Sequence, residues 1–534
     1  MPLNRRTLLH RSVLASAALL CRSAFAAPSE PVVELNSGRV RGTLDRGLFC
    51  FKGIPYGADT AGRRFQPPLP PAPWTGIRDA MEYGPRAPQP GARAASGSSH
   101  GYALPAETGP ISEDCLHLNV WTPALDDGRR RPVLVYIHGG GYNGWSANSE
   151  IYNGVNLCRQ GDAVVVTLNH RLNLFGYLYL SGLSSDFPDA GNVGMLDLVL
   201  ALEWVRDNIA RFGGDPRRVL IFGQSGGGAK CATLMAMPAA RGLFHRVLTM
   251  SGQQLTASRP ESATPRAEAV LKALGLTTDR IHAIERLPME QLIAAARASN
   301  YFGPVRDGRS LPRDPFAPDA PPLSADVPMI LGNTHDETRF FFPSEENFGI
   351  SWETLPERIE AVAQYLGSLN RQEVVARFRQ IHPQYSPSDI FFAITTAFRS
   401  WRGQVIEAER RAAQPMAQPH TWVYELDWVT PLEGGKWRSP HTLDIPLFFA
   451  NTAMTPNMTG DSTGARQMAA AMSTTLLAFA ATGNPNHAGL PHWAPYDLKK
   501  RPTMSFAAPS QLVENPRGEE RRYVEQVPYI QPGT

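Results

Sequence analysis

A serine framed by glycines, Gly223-Gln224-Ser225-Gly226-Gly227-Gly228, follows the apolar run Val219 to Phe222 and precedes a helix-compatible run from Ala229 to Met235. This is the pattern G-x-S-x-G in the setting its chemistry requires. A sharp turn between strand and helix pushes the hydroxyl out of the sheet, and side chains in place of the glycines would collide with neighbouring backbone. The helix that begins just after Ser225 also turns backbone N–H groups and the positive end of its dipole toward the oxyanion that nucleophilic attack would create. A glycine-rich turn with an incidental serine is the competing reading, and the strand before and helix after weigh against it.

Upstream, the run Val133 to Ile137 ends in His138-Gly139-Gly140-Gly141-Tyr142. Consecutive glycines let backbone N–H groups approach a substrate oxygen, so Gly140 and Gly141 are the expected donors from this loop, with Gly226 as the donor after the nucleophile. The same stretch satisfies a dinucleotide fingerprint, Gly139-x-Gly141-x-x-Gly144. The next residues, Trp145 to Glu150, lack the apolar-faced helix that would hold a pyrophosphate, which disfavours a nicotinamide or flavin enzyme. A neutral serine is a weak nucleophile and needs a base, with an acid to orient that base. Residue type does not single out either among the chain's histidines and acids; His335, His420 and His441 are candidate bases, and Asp336, Glu337 and Asp444 candidate acids.

The elements that must carry these residues are legible as short apolar runs bounded by turn residues. Val133 to Ile137, Ala163 to Leu168, Val219 to Phe222, Arg246 to Met250, Met329 to Leu331 and Trp422 to Leu426 read as buried strands. Between them, Leu196 to Phe212 and Ala267 to Leu274 repeat apolar residues at helical spacing. Alternation of strand and helix predicts a central, mostly parallel sheet flanked by helices. Residues 344 to 415 are helical in pattern, with Leu355, Ile359, Val362 and Tyr365 on one face, and are expected to form a helical cap or ordinary packing helices beside the sheet's active edge. Pro85 to Pro110, rich in Pro, Gly, Ala and Ser, reads as a long surface loop.

The first residues stand apart. Arg5, Arg6 and Arg11 precede the apolar stretch Ser12 to Cys21 and the small-residue site Ala24-Phe25-Ala26, so residues 1–26 read as a cleavable export signal. The adjacent arginines fit the twin-arginine type as well as ordinary secretion, and the apolar run is too short for a membrane anchor. Export to the periplasm or medium is the expected destination. Removing this segment takes away four arginines and no acid, turning the formal charge of +3 slightly negative. The basicity belongs to the signal, and neither nucleic acid nor a stable membrane association is implied. The remainder, 27–534, shows no repeat and no linker, and is expected to be one domain. Cys50, Cys115, Cys158 and Cys231 are too sparse for a disulfide scaffold and are expected as buried thiols. No Cys-x-x-Cys or His-Glu-x-x-His spacing calls for a metal.

Taken in order, several motifs resemble the type-B carboxylesterase family, which includes para-nitrobenzyl esterases and cholinesterases. They are Phe51-Lys52-Gly53-Ile54-Pro55-Tyr56-Gly57, Glu113 to Trp121, the His138 glycine loop, Gly191-Asn192-Val193-Gly194, and Ala201 to Val205 leading to Phe212-Gly213-Gly214-Asp215-Pro216. The likeness runs roughly from Val32 to Phe506. It implies the α/β-hydrolase fold and a triad in the chain order Ser225, Glu337, His441, with Glu337 after Pro328 to Gly332 and His441 opening His441-Thr442-Leu443-Asp444-Ile445-Pro446. The implied activity is hydrolysis of a small carboxylic ester through an acyl-enzyme, with no metal or organic cofactor. An amide, carbamate or lactone substrate is the alternative within that chemistry, and a non-catalytic cholinesterase-like binding domain the alternative outside it.

Four positions depart from the family's pattern. Gln224 stands where glutamate is usual, Gly226 where alanine is usual, and Thr338 where glycine is common after the acid. Ala87 stands where the family often has the cysteine that pairs with the equivalent of Cys115, which implies that Cys115 lacks its usual disulfide. Tyr142, Trp145, Phe341, Phe342, Phe448 and Phe449 are candidates for the pocket wall, with core packing as the competing role.

Overall fold

A computed structural model describes residues 30–90 and 101–531. The segment read as an export signal, residues 1–26, lies outside them. Eleven strands form the main sheet: β1 (Thr43–Asp45), β2 (Leu48–Pro55), β3 (His117–Thr122), β4 (Arg131–Ile137), β5 (Val164–Leu168), β6 (Gly214–Gln224), β7 (Arg246–Met250), β8 (Met329–Thr334), β9 (Thr421–Leu426), β10 (Pro502–Phe506) and β11 (Gln511–Glu514). Their spatial order is β11-β10-β9-β8-β7-β6-β4-β5-β3-β2-β1. The block from β10 to β5 is parallel throughout, and antiparallel strands close both edges. Every run expected to be a strand lies in this sheet. A second, three-stranded sheet of Val32–Leu35, Gly38–Arg41 and Ile77–Asp79 stands apart.

The central strands are mostly apolar because both faces of the sheet are covered. Along β4, Val133, Val135 and Ile137 enter one core while Leu134 and Tyr136 enter the other, as the two-residue period of a strand dictates. The first core is closed by α2 (Val193–Asn208), α3 (Gly226–Leu234) and α4 (Pro260–Ala273); the second is closed by α1 (Val155–Gly161) and by α8 (Thr463–Thr482). The helix expected over Leu196 to Phe212 ends at Asn208 and is continued by a tighter turn, Ile209–Phe212.

Beyond the sheet's carboxyl edge lies a helical layer that includes α5 (Arg371–Ile381), α6 (Pro387–Thr396) and α7 (Arg402–Ala412). It has its own apolar core, in which Leu355, Ile359, Val362 and Tyr365 pack with Phe378, Phe391 and Trp401. A single π-helical turn, Ala397–Trp401, joins α6 to α7. No helix among the described residues is long and apolar enough to cross a membrane.

The stretch read as a surface loop is more deeply engaged than its composition suggests. Tyr102 is fully buried, the Glu107 side chain is nearly so, and Leu104 lines the cavity described below. A few large side chains anchor a segment otherwise made of turn formers.

Candidate active site

Parallel strands deliver their carboxyl ends to one edge, and ligands in such sheets bind there. Register brings Gln224 at the end of β6 level with Met250 of β7, and Met250 level with Gly332 of β8. Ser225 comes next in the chain at φ 57°, ψ −128°, a conformation that L residues rarely adopt. Such backbone costs on the order of 1–3 kcal/mol and persists only where its surroundings impose it. Here the Ser225 N–H donates to the Met250 carbonyl at 2.8 Å, and the Ser225 carbonyl accepts from Ala229 N–H at 3.0 Å in the first turn of α3. A Cβ on Gly226 would fall inside contact distance of the Gly141 carbonyl oxygen, and one on Gly227 would do the same to the Ile137 carbonyl oxygen. The glycine loop after β4 therefore lies directly against the turn that carries Ser225. Gly140 (φ 79°) and Gly141 (φ 62°) are both left-handed, and neither N–H has a protein acceptor among the described residues; nor has that of Gly226.

His441 and Glu337 come from two segments stitched together by their backbones. The His441 N–H donates to the Glu337 carbonyl at 3.4 Å, and the Asp336 N–H donates to the Ser439 carbonyl at 2.9 Å. Between the side chains, His441 Nδ1 donates to Glu337 Oε2 at 2.5 Å, with both groups buried. The other carboxylate oxygen, Oε1, accepts from Ser251 Oγ at 2.5 Å and from the Thr334 N–H and hydroxyl, each at 2.9 Å. Burial alone would raise the Glu337 carboxyl, but the imidazole, Ser251 and Thr334 together hold it below its ordinary value. Thr338 binds the Thr395 hydroxyl at 2.6 Å and the Thr396 hydroxyl at 2.9 Å, tying the acid's segment to α6.

The rival acids and bases are committed elsewhere. Asp336 pairs with His335 at 3.1 Å and with Arg339 at 3.4 Å. Asp444 accepts from the Tyr424 hydroxyl at 2.9 Å, and its burial, with the charge of Glu337 nearby, lifts its carboxyl to about 7. His420 sits in a turn at the amino end of β9, the opposite edge from Ser225.

Ser225, His441, Gly140 and Gly141 line one cavity of about 430 Å³ whose walls include Leu104, Trp145, Tyr152, Phe340, Phe341 and Ile445. A second lobe of about 170 Å³ opens on the other side of Ser225, Gly141, Phe341 and His441, and its wall is rich in amides. No direct hydrogen bond joins Ser225 to His441. Instead the Gln224 side-chain amide nitrogen lies 3.1 Å from His441 Nε2 and 3.3 Å from Nδ1. An atom nearly equidistant from both nitrogens at that range cannot lie in the ring plane without overlapping Cε1, so the amide covers a face of the imidazole.

Of the aromatic residues proposed for the wall, Trp145 and Phe341 line the large lobe and Tyr142 the small one. Phe448 and Phe449 do not: both are fully buried, and Phe449 packs against Tyr136 and Phe222 beneath the sheet. Phe342 turns away to meet Phe391 of the helical layer. Sequence reasoning missed Ser251, although it occupies the first position after a parallel strand, as Ser225 does after Gln224. It also missed Tyr102, whose hydroxyl lies 3.1 Å from that of Thr442, itself at φ 80° beside His441. Cys50, Cys115, Cys158 and Cys231 are all buried and free.

Comparison with known proteins agrees with this geometry in kind. Residues 29–524 match the family described as the carboxylesterase family. The chain is 33% identical over 504 residues to a para-nitrobenzyl esterase of Bacillus subtilis, covering 92% of this chain and 98% of that one. It is 33% identical over 513 residues to a phenmedipham hydrolase of Pseudarthrobacter oxydans, covering 92% and 96%. Among solved structures, a carboxylesterase of Geobacillus stearothermophilus superposes with a TM-score of 0.80 at 34% identity, covering 92% of this chain and 99% of that one.

Proposed function

The chain belongs to the carboxylesterase family and is a carboxylic ester hydrolase, and from that premise we propose that Ser225, His441 and Glu337 act as its triad through an acyl-enzyme. The observation that carries the reading is the buried contact between His441 Nδ1 and Glu337 Oε2, which fixes the tautomer so that Nε2 is free to accept a proton in the cavity that Ser225 lines.

Attack by Ser225 on the ester carbonyl passes its proton to His441 Nε2, and Glu337 stabilises the resulting imidazolium without taking the proton. The carbonyl oxygen gains its charge beside the N–H groups of Gly140, Gly141 and Gly226, whose directions are fixed before reaction begins. His441 then protonates the departing alcohol, leaving the acyl group on Ser225. Water activated by the same imidazole releases the acid and restores the hydroxyl. Two residues move the proton and three main-chain groups hold the charge, so the cycle closes within this chain.

Residues 27–534 working as one catalytic unit and export ahead of action belong to the same proposal; fractionation of the native host and N-terminal sequencing of the mature chain would check them. For the chemistry, wild type and Ser225→Ala are compared on a panel of p-nitrophenyl esters and anilides. Turnover of esters should fall about 10³-fold or more in the variant. Equal turnover by the two proteins would sink the triad, and faster turnover of anilides than esters would reassign the leaving group.

A further inference from the structure

The smaller lobe holds a cation with no counter-ion. Arg399 lies in the π-helical turn Ala397–Trp401, an irregularity often found at functional positions. Its guanidinium stacks on the Phe341 ring at 3.8 Å, and Phe341 in turn lies 4.7 Å from the His441 ring, so one phenyl separates Arg399 from the imidazole. Nη1 donates to the Ser400 hydroxyl at 3.1 Å; no carboxylate forms an ion pair with the guanidinium, and Nε and Nη2 have no acceptor among the described residues. Other polar groups on that wall, among them Asn143, Gln253, Gln254, Gln531, Ser251 and Tyr301, are neutral. Glu337 faces the lobe too, but its oxygens are already taken by His441, Ser251 and Thr334.

A guanidinium does not shed its charge in a protein. Arg399 is only partly buried, so its free N–H groups remain reachable from the lobe, and holding a guanidinium there without an anion still carries a desolvation cost. Desolvation weakens its hold on the proton, offset only in part by Tyr365, Glu337 and Tyr529. The large lobe on the other side of Ser225 is lined mainly by apolar and aromatic side chains. A substrate spanning Ser225 would therefore meet an apolar wall with one half and an unpaired, hydrogen-bond-donating cation with the other.

We propose that Arg399 is a specificity residue that binds a carboxylate carried by the ester substrate, so that the preferred substrate is an anionic ester with its charge in the small lobe and an apolar group in the large one. This rests on the esterase reading above. The guanidinium offers a planar fork suited to a carboxylate, and binding would give its free N–H groups an acceptor.

The test uses two series of alkyl esters followed by acid release at constant pH. One carries the charge on the acyl side, monomethyl glutarate and monomethyl adipate against methyl pentanoate. The other carries it on the alcohol side, 3-(butanoyloxy)propanoate against butyl butanoate. In Arg399→Gln, the ratio of kcat/KM for the anionic ester to that for its neutral partner should fall about tenfold or more in one series, the effect expected for losing a charge-assisted hydrogen bond. Arg399→Lys should keep part of the preference, and Arg466→Gln, on the distant surface, should keep all of it. A merely structural role for Arg399 would depress both esters together and leave the ratio unmoved. A ratio unmoved in both series, in both Arg399 variants, would overturn the proposal. If Ser225→Ala hydrolysed the neutral esters as fast as wild type, the triad reading on which the proposal rests would fail instead.

Discussion

The side-chain amide of Gln224 covers the face of the His441 imidazole, 3.1 Å from Nε2, while Glu337 holds the ring by its edge. A neutral group thus sits where an acid would strongly bias the proton on the proposed base. Gln224→Glu should favour the imidazolium, because an opposite charge within a few ångströms stabilises the charged form. The acid limb of the kcat/KM profile should then move to higher pH, since the base must be neutral to accept the Ser225 proton. An acid limb at the wild-type position would show that the amide's neutrality does not set the protonation of His441.

Glu337 and its neighbour Asp336 should separate cleanly in function. Glu337→Gln removes the acceptor of the Nδ1 proton and is expected to lower kcat about 10³–10⁴-fold. Asp336→Asn should spare most of kcat and instead reduce stability. In wild type, Asp336 raises the His335 imidazole to about 9. Between its ordinary value near 6.5 and that value the folded state holds a proton that the unfolded chain has lost, so this contribution is present below the window and disappears as pH rises through it. The stability difference between wild type and Asp336→Asn should therefore shrink between neutral pH and about pH 9, as denaturant melts at several pH values would report.

Gly226→Ala tests the contact between the two loops that carry the proposed oxyanion donors. The added methyl meets the Gly141 carbonyl in this backbone arrangement, so one loop must move away from the other. Loss of alignment at one donor is worth about 3 kcal/mol at the transition state, hence about a hundredfold in kcat with a smaller change in KM. A kcat within twofold of wild type would show that alanine, common in the family here, is absorbed without cost.

Lys230 is fully buried beneath the glycine loop, its ammonium donating to the His138 carbonyl at 3.0 Å with no acid beside it among the described residues. Desolvation brings the amine down to about 7 from an ordinary 10.5. Between those values the unfolded chain binds a proton that the folded chain has released, so this group's contribution to stability rises with pH across the window and is poorest below it. Lys230→Met should accordingly gain on wild type most at or below neutral pH and lose that advantage toward pH 10. A difference independent of pH would mean the amine keeps its proton inside the fold.

How much of this was legible in the sequence depended on the range of the interaction. The strand ends that carry Ser225 and the glycine loop could be read because apolar runs and glycines are local signals, and both faces of a parallel sheet must be apolar; Glu337, with Asp336 and Asp444 as rivals, was singled out by the family resemblance. His441 lies on no strand; its residue type alone left His335 and His420 as rivals, and the family resemblance singled it out. Ser251, Tyr102 and Arg399 were invisible for another reason. Each acts through a partner far along the chain, Glu337, Thr442 and Phe341 respectively, and nothing in the adjacent residues marks them. Phe448 and Phe449 illustrate the opposite error, since position beside a catalytic segment does not say which face of the sheet an aromatic ring will enter.

Thr338 binds α6 on one side of the cavity, and Tyr102 binds the His441 segment on the other. Both flanks of the chamber are thus fastened to the segments that carry the proposed acid, Glu337, and the proposed base, His441. A guest too wide for the chamber would have to displace the segments of Glu337 or His441, so the proposed triad predicts that poor fit lowers turnover as well as occupancy. The chamber works as a gauge wired to the machinery it measures for.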